Sequence, residues 1–152
     1  MERSIIEIIQ GMLAPGLMIS ACGLLLLGMN NKYSLVVGRI RTLNSELRNV
    51  TNISEERMRC ILLQMPLLVK RMQIIRNAVW LYTVSVALFI FSIIFLGLFS
   101  INIASSVASF ISLTLFILGL ITILLGVLNA AKEVRLGYKI VLIETQNVLG
   151  KN

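Results

Sequence analysis

The sequence predicts an all-α integral membrane protein: three transmembrane helices, a cytoplasmic helical hairpin between the first and second, and a C-terminal cytoplasmic helix. Three observations lead there. Of the 152 residues 57% are hydrophobic and only 14% charged, against about 25% charged in soluble domains. No charged residue occurs between Asn77 and Ala131. Finally, lysine and arginine gather in two segments rather than along the whole chain. The length allows one membrane domain, residues 1–152, and no second one.

The first span is placed at residues 5–29, an apolar run whose only charge is Glu7, near one end. Pro15-Gly16 lies near its middle, where a missing N–H and a flexible residue kink or loosen a helix. The charge-free stretch that follows Arg76 is long enough for two further crossings, since each needs about 20 apolar residues. Its most polar part, Ser100 to Ser106, is the expected turn, with spans at 78–99 and 107–128.

Charge asymmetry sets the expected orientation. Residues 30–76 hold nine lysines and arginines against three glutamates, and the tail adds Lys132, Arg135, Lys139 and Lys151. The turn at 100–106 has none, and the N-terminus has Arg3 beside two glutamates. The positive-inside rule places the 30–76 segment and the tail in the cytoplasm and the N-terminus outside. Trp80 and Tyr82 fall where an interfacial aromatic belt belongs. Ile19-Ser20-Ala21-Cys22 has the form of a lipoprotein processing site. The leucine run that continues to Leu27 and the lack of net positive charge before it argue for a span instead.

Within residues 30–76 the apolar positions become helical. Tyr33, Val36, Ile40, Leu43, Leu47 and Val50 step by threes and fours, as a helix seam does. Thr51-Asn52-Ile53-Ser54 breaks the pattern, and Ser54 before Glu55-Glu56 reads as an N-cap with acids in the first turn. A second seam follows in Met58, Ile61, Met65, Leu68, Met72 and Ile75. Two arms of about 20 residues, each about 30 Å long, form a hairpin that projects from the membrane or lies along its headgroups. Pro66 frees the carbonyl of Leu62 and kinks the returning arm. The tail, residues 132–150, is a further helix, with Val134, Tyr138, Val141, Leu142 and Val148 on an apolar side.

Small residues recur every seven positions in each span. They are Ala14, Ala21 and Gly28, with Glu7 one step earlier; Ala78, Ser85 and Ser92; and Ser105, Ser112, Gly119 and Gly126. Apolar side chains gain little by leaving lipid for one another, so membrane helices associate where small residues let backbones approach. Three such stripes point to self-association. If the first span lined an oligomer axis, Glu7 would form an acidic ring at the outer mouth, and Lys32, Arg39 and Arg41 a basic one inside. Met58, Met65 and Met72 lie one heptad apart, either as seam packing or as an adaptable surface for partner segments.

The composition excludes much chemistry. Histidine and aspartate are absent, and the seven acids are all glutamates. No nucleophile–base pair, metal cluster or phosphate loop can be assembled, so no enzyme activity and no cofactor is expected. Cys22 and Cys60, 38 positions apart, make neither a metal-ligand spacing nor a disulfide framework. The net charge of +7 follows from topology and not from nucleic-acid binding.

Leu13-Ala14-Pro15, Ile19-Ser20-Ala21, Asn30-Asn31-Lys32-Tyr33 and Val37-Gly38-Arg39-Ile40-Arg41 carry a resemblance that continues through Arg71, Arg76, Leu81-Tyr82 and Glu133-Val134-Arg135-Leu136. The chain resembles the uncharacterised family of small bacterial membrane proteins DUF2721. That resemblance implies three spans in a bacterial inner membrane and no known activity or site residues. The Oxa/YidC/Get insertase superfamily shares the order of elements by analogy alone. The expected partners are the bilayer, further copies of the chain, and other membrane proteins. The expected function is a homo-oligomeric assembly, with an ion-conducting pore along the first span. The alternative is an insertase-like, assembly or scaffold factor that binds partner segments through its hairpin.

Overall fold

A computed structural model describes residues 2–48, 54–99 and 105–149, and all of these but Ser54 are helical. Long leucine- and isoleucine-rich runs leave the backbone no partner in lipid but itself, and the α-helix satisfies every interior N–H and C=O locally. Three helices result: α1 (Glu2–Arg48), α2 (Glu55–Phe99) and α3 (Ser105–Leu149). Each contains a stretch long and apolar enough to cross a membrane. The chain is a multi-pass membrane protein of the all-α class.

The helices are longer than the spans. Each runs on, without an interruption, into a charged segment, so the helical parts of residues 30–76 and of the tail are extensions of the apolar stretches themselves. Pro15 and Pro66 both lie inside helices that continue past them, because a proline removes a single ladder bond while its neighbours keep theirs. Ser54 caps α2: its Oγ accepts from the Arg57 N–H at 3.4 Å, and its carbonyl accepts from Met58 N–H at 3.1 Å. Glu55 and Glu56 sit in that first turn, where the helix dipole favours them. Of the expected break at 51–54 and turn at 100–106, residues 51–53 and 100–104 fall outside the described residues, while Ser105 and Ser106 already belong to α3.

Contacts divide the chain into two units. The first comprises Met1–Gly28 and Val79–Val127, the second Met29–Ala78 and Leu128–Asn152.

In the first unit the buried positions are Pro15 and Cys22 on α1, Tyr82, Ser85, Phe89 and Ser92 on α2, and Ser112, Gly119 and Gly126 on α3. Ala78, Ser85 and Ser92 on α2 and Ser112, Gly119 and Gly126 on α3 are therefore taken up by packing within the chain and not by the expected self-association; the side chain of Ser105, first of the α3 stripe, lies outside the described residues. Their smallness has a direct use. A Cβ on Gly119 would stand 2.6 Å from the Phe89 ring, and one on Gly126 the same distance from the Tyr82 ring. Both aromatic rings thus lie on bare α3 backbone. Tyr82 is accordingly a core residue and not part of an interfacial belt, whereas Trp80, 70% exposed, faces outward. A helix can turn only one of two residues two positions apart toward a given neighbour.

In the second unit the core is Met29, Val36 and Leu43 on α1, Ile61, Gln64, Leu68, Ile75 and Ala78 on α2, and Glu133 and Ile140 on α3. The seam positions Ile40, Leu47, Met58, Met65 and Met72 are half-buried beside it, and Tyr33 is exposed. The tail departs from expectation. Val134, Tyr138, Val141 and Leu142 are exposed, while the face turned inward carries Glu133 and Ile140. An acid outranks four apolar residues here because two cations are waiting for it.

Candidate functional site

Glu133 is the centre of an ion triad that ties together the three helices of the second unit. Its side chain is 1% exposed. Lys32 Nζ of α1 donates to Oε2 at 3.0 Å, and the Arg71 guanidinium of α2 donates to Oε1. Burial alone would push the Glu133 carboxyl up; the hydrogen bonds and charges of Lys32 and Arg71 outweigh it and hold the carboxyl below its usual range. Glu133 lies beyond the charge-free stretch that ends at Ala131. A lowered folded value means that this contribution is present at neutral pH and is lost as acid titrates the carboxylate. Gly137, one turn further along α3, makes room for the arginine, since a Cβ there would lie 3.3 Å from Arg71 Cζ. Glu133 and Gly137 together form the slot that receives Arg71. A second pair, Arg57 to Glu46 at 2.9 Å, joins α1 to the start of α2 at a more exposed place.

The first unit holds a different feature, a cavity of about 330 Å³. Gly11, Ala14 and Pro15 line it from α1, and Ser92 and Leu96 from α2. Ser109, Ser112, Leu113 and Phe116 line it from α3. Ser92 and Ser112 clamp one another: each hydroxyl donates to the other's carbonyl, at 2.9 and 2.8 Å. One α2 heptad away, Ser85 Oγ lies 3.6 Å from Cys22 Sγ. Buried hydroxyls in a membrane helix need such partners. Cys22 is a buried free thiol packed against Ser85, and the Gln64 side-chain amide lies 3.4 Å from Cys60 Sγ.

Of the residues singled out by sequence, Pro15 is buried at the cavity, and Ala14 reaches it from an exposed position. Ala21 and Gly28 are exposed, and Gly16 is half-buried with open space where a Cβ would be. The inward stripe of α1 is displaced by one residue, to Pro15 and Cys22, because Cys22 is the residue that meets Ser85. Glu7 is helical, and its side chain lies outside the described residues. Of the basic residues, Lys32 is held in the triad, Arg39 is half-buried and Arg41 is exposed. Met58, Met65 and Met72 are half-buried along one stripe of α2.

Sequence reasoning missed the triad although a signal for it was present. The small-residue stripe Ser112–Gly119–Gly126, carried one heptad further, lands on Glu133. The stripe Ser92–Ser85–Ala78, carried one heptad back, lands on Arg71. The two stripes belong to facing helices, so an acid and a base meet where both patterns leave the charge-free stretch.

A model of the family described as "Protein of unknown function (DUF2721)" matches residues 12–143. The chain belongs to this family. The DUF2721 match takes in Lys32, Arg71, Glu133 and Gly137, and every residue lining the cavity except Gly11. Neither a curated protein nor a solved structure matches the chain. Membership of DUF2721 brings no activity with it, and any function has to be argued from the geometry.

Proposed function

We propose that this DUF2721 protein is a non-enzymatic, homo-oligomeric assembly of the bacterial inner membrane, joined through α1, with an ion path along the α1 helices. One observation supports it most. Gly16, Gly23, Gly28 and Gly38 have nothing within 4 Å of an added Cβ, and all four lie on α1. Gly11, Gly97, Gly119, Gly126 and Gly137 each meet a neighbouring helix. A helical glycine costs about 1 kcal/mol relative to alanine. Close packing offsets that cost on α2 and α3, and nothing within the chain does so at the four open positions. A second copy approaching the face of Ala14, Ala21 and Gly28 would do so at Gly28, and a copy on the opposite side of α1 would do so at Gly16, Gly23 and Gly38.

The test is the mass of the assembly in lipid nanodiscs. Wild type is expected to be oligomeric, and Gly23→Leu with Gly28→Leu to release monomers without lowering the unfolding temperature. A monomeric wild type would remove the proposal, and an assembly without unitary conductance in planar bilayers would remove the ion path alone.

A different reading, an assembly factor that binds partner segments in the cytoplasm, draws support from Leu62 and Leu63, both exposed on α2 of the charged unit near Met65. Photocrosslinks from position 65 to other membrane proteins favour that reading; crosslinks confined to the protein itself count against it. Both readings need residues 30–76 in the cytoplasm. In a variant with Cys22→Ala and Cys60→Ala, a thiol introduced as Leu62→Cys is expected to resist an impermeant maleimide in intact cells and to react after permeabilisation. Reaction in intact cells reverses the orientation.

A further inference from the structure

We propose that the cavity of the first unit is a lipid site that holds one hydrocarbon chain of a membrane phospholipid. It is a groove of about 330 Å³ between the helices, open on one side, and not a void closed inside the fold. It lies at the lower end of the range for small-molecule pockets, about 300–1,000 Å³. Three apolar helices do not leave such a space empty, because every wall atom would lose its dispersion partners.

The lining decides between occupants. Leu96, Leu113, Phe116 and Pro15 supply apolar wall. The buried hydroxyls of Ser92 and Ser112 are spent on each other's carbonyls. Among the described residues no buried side-chain nitrogen or oxygen lacks a partner. A water needs two to four polar partners to stay in a cavity, and with the Ser92 and Ser112 hydroxyl protons committed to each other's carbonyls the buried wall offers no free donor. A flexible unbranched chain fits and needs no hydrogen bond.

Access agrees with this. Gly11 and Ala14 on one side and Ser109 and Leu113 on the other are exposed, so the cavity opens sideways between α1 and α3. In a membrane that opening faces hydrocarbon at very high concentration. The small side chains of Gly11 and Ala14 make the doorway, and an added Cβ on Gly11 would already meet Leu96 at 3.0 Å. The inference starts from the three spans, but Ala14 belongs both to this doorway and to the α1 face proposed for a second copy.

The probe is a phosphatidylcholine with a diazirine at the end of one acyl chain, doped into phosphatidylcholine–phosphatidylglycerol vesicles that contain the full-length protein. After photolysis, adducts mapped by mass spectrometry are expected to be several-fold denser on Ser109, Leu113 and Phe116 than on the exposed Leu17, Leu24 and Leu124. Leu96→Trp fills the space and should reduce the cavity adducts to the level of those three leucines. Phe116→Ala enlarges it and should increase the adducts on Ser109 and Leu113. Equal labelling of cavity and control positions in the wild type overturns the proposal. So does a Phe116→Ala variant without any gain, or an inter-chain crosslink from a photoreactive residue at position 113 in place of the lipid adduct. Oligomeric mass measured on the same vesicles keeps this result separate from the fate of the α1 assembly.

Discussion

Replacing both Lys32 and Arg71 with methionine is expected to destabilise the second unit by about 3–5 kcal/mol, the usual consequence of stripping the partners from a buried charge. The effect should be asymmetric. Glu133 is the buried member, at 1% exposure, while Lys32 is 42% and Arg71 27% exposed. Glu133→Gln leaves two cations that can reach water by a change of rotamer, and it should cost well under half as much. Losing both cations leaves a buried carboxylate that must take up a proton or draw in water, and either costs stability. Adding Glu133→Gln to the double variant should therefore restore most of the lost stability, a non-additivity that marks a coupled network. Unfolding in mixed micelles of rising SDS fraction, followed by the fluorescence of Trp80, the single tryptophan, gives these energies. Should the triple variant prove no more stable than the double one, the triad is not the bond that holds α3 to α1 and α2 in this unit.

Alanine at Gly126 or Gly119 is expected to destabilise the first unit by about 1–3 kcal/mol each, the range for overpacking a filled interior. The sign is the informative part. In an open helix the same change gains about 1 kcal/mol of helix propensity. Here the new methyl would stand 2.6 Å from the Tyr82 or Phe89 ring, and a rigid ring between helices cannot withdraw as a flexible side chain would. Shrinking the ring with Tyr82→Leu should rescue Gly126→Ala, though not Gly119→Ala, whose neighbour is Phe89. Gly23→Ala on α1 meets open space and should leave the monomer unchanged or slightly more stable. If Gly126→Ala and Gly23→Ala have the same effect in the same unfolding assay, the close approach of α3 to Tyr82 is wrong.

These two results probe parts of the fold that differ in how readable they were. The spans were legible because a bilayer imposes a length and a composition on whatever crosses it. The stripes of α2 and α3 were legible because only small residues let helices close up in lipid. The α2 cap was legible from Ser54 and the two glutamates behind it. The inward face of the tail was not. Val134, Tyr138 and Val141 give the stronger amphipathic pattern, and the choice of Glu133 over them depends on Lys32 and Arg71, which lie 101 and 62 positions away in sequence. Tyr82 was misjudged for a similar reason. Its identity fits an interfacial belt, and only the bare backbone at Gly126 makes it a core residue.

The sequence by itself determined that this protein is helical and membrane-spanning, where its apolar segments begin and end, and which positions are small enough for close packing. All of these follow from local composition, period and the cost of exposing backbone or charge to hydrocarbon. Tertiary structure alone decided which of two neighbouring stripes on α1 turns inward, which acid is buried, and where a cavity remains. Those outcomes depend on what a side chain meets across the gap between helices, a pairwise property that no single segment carries.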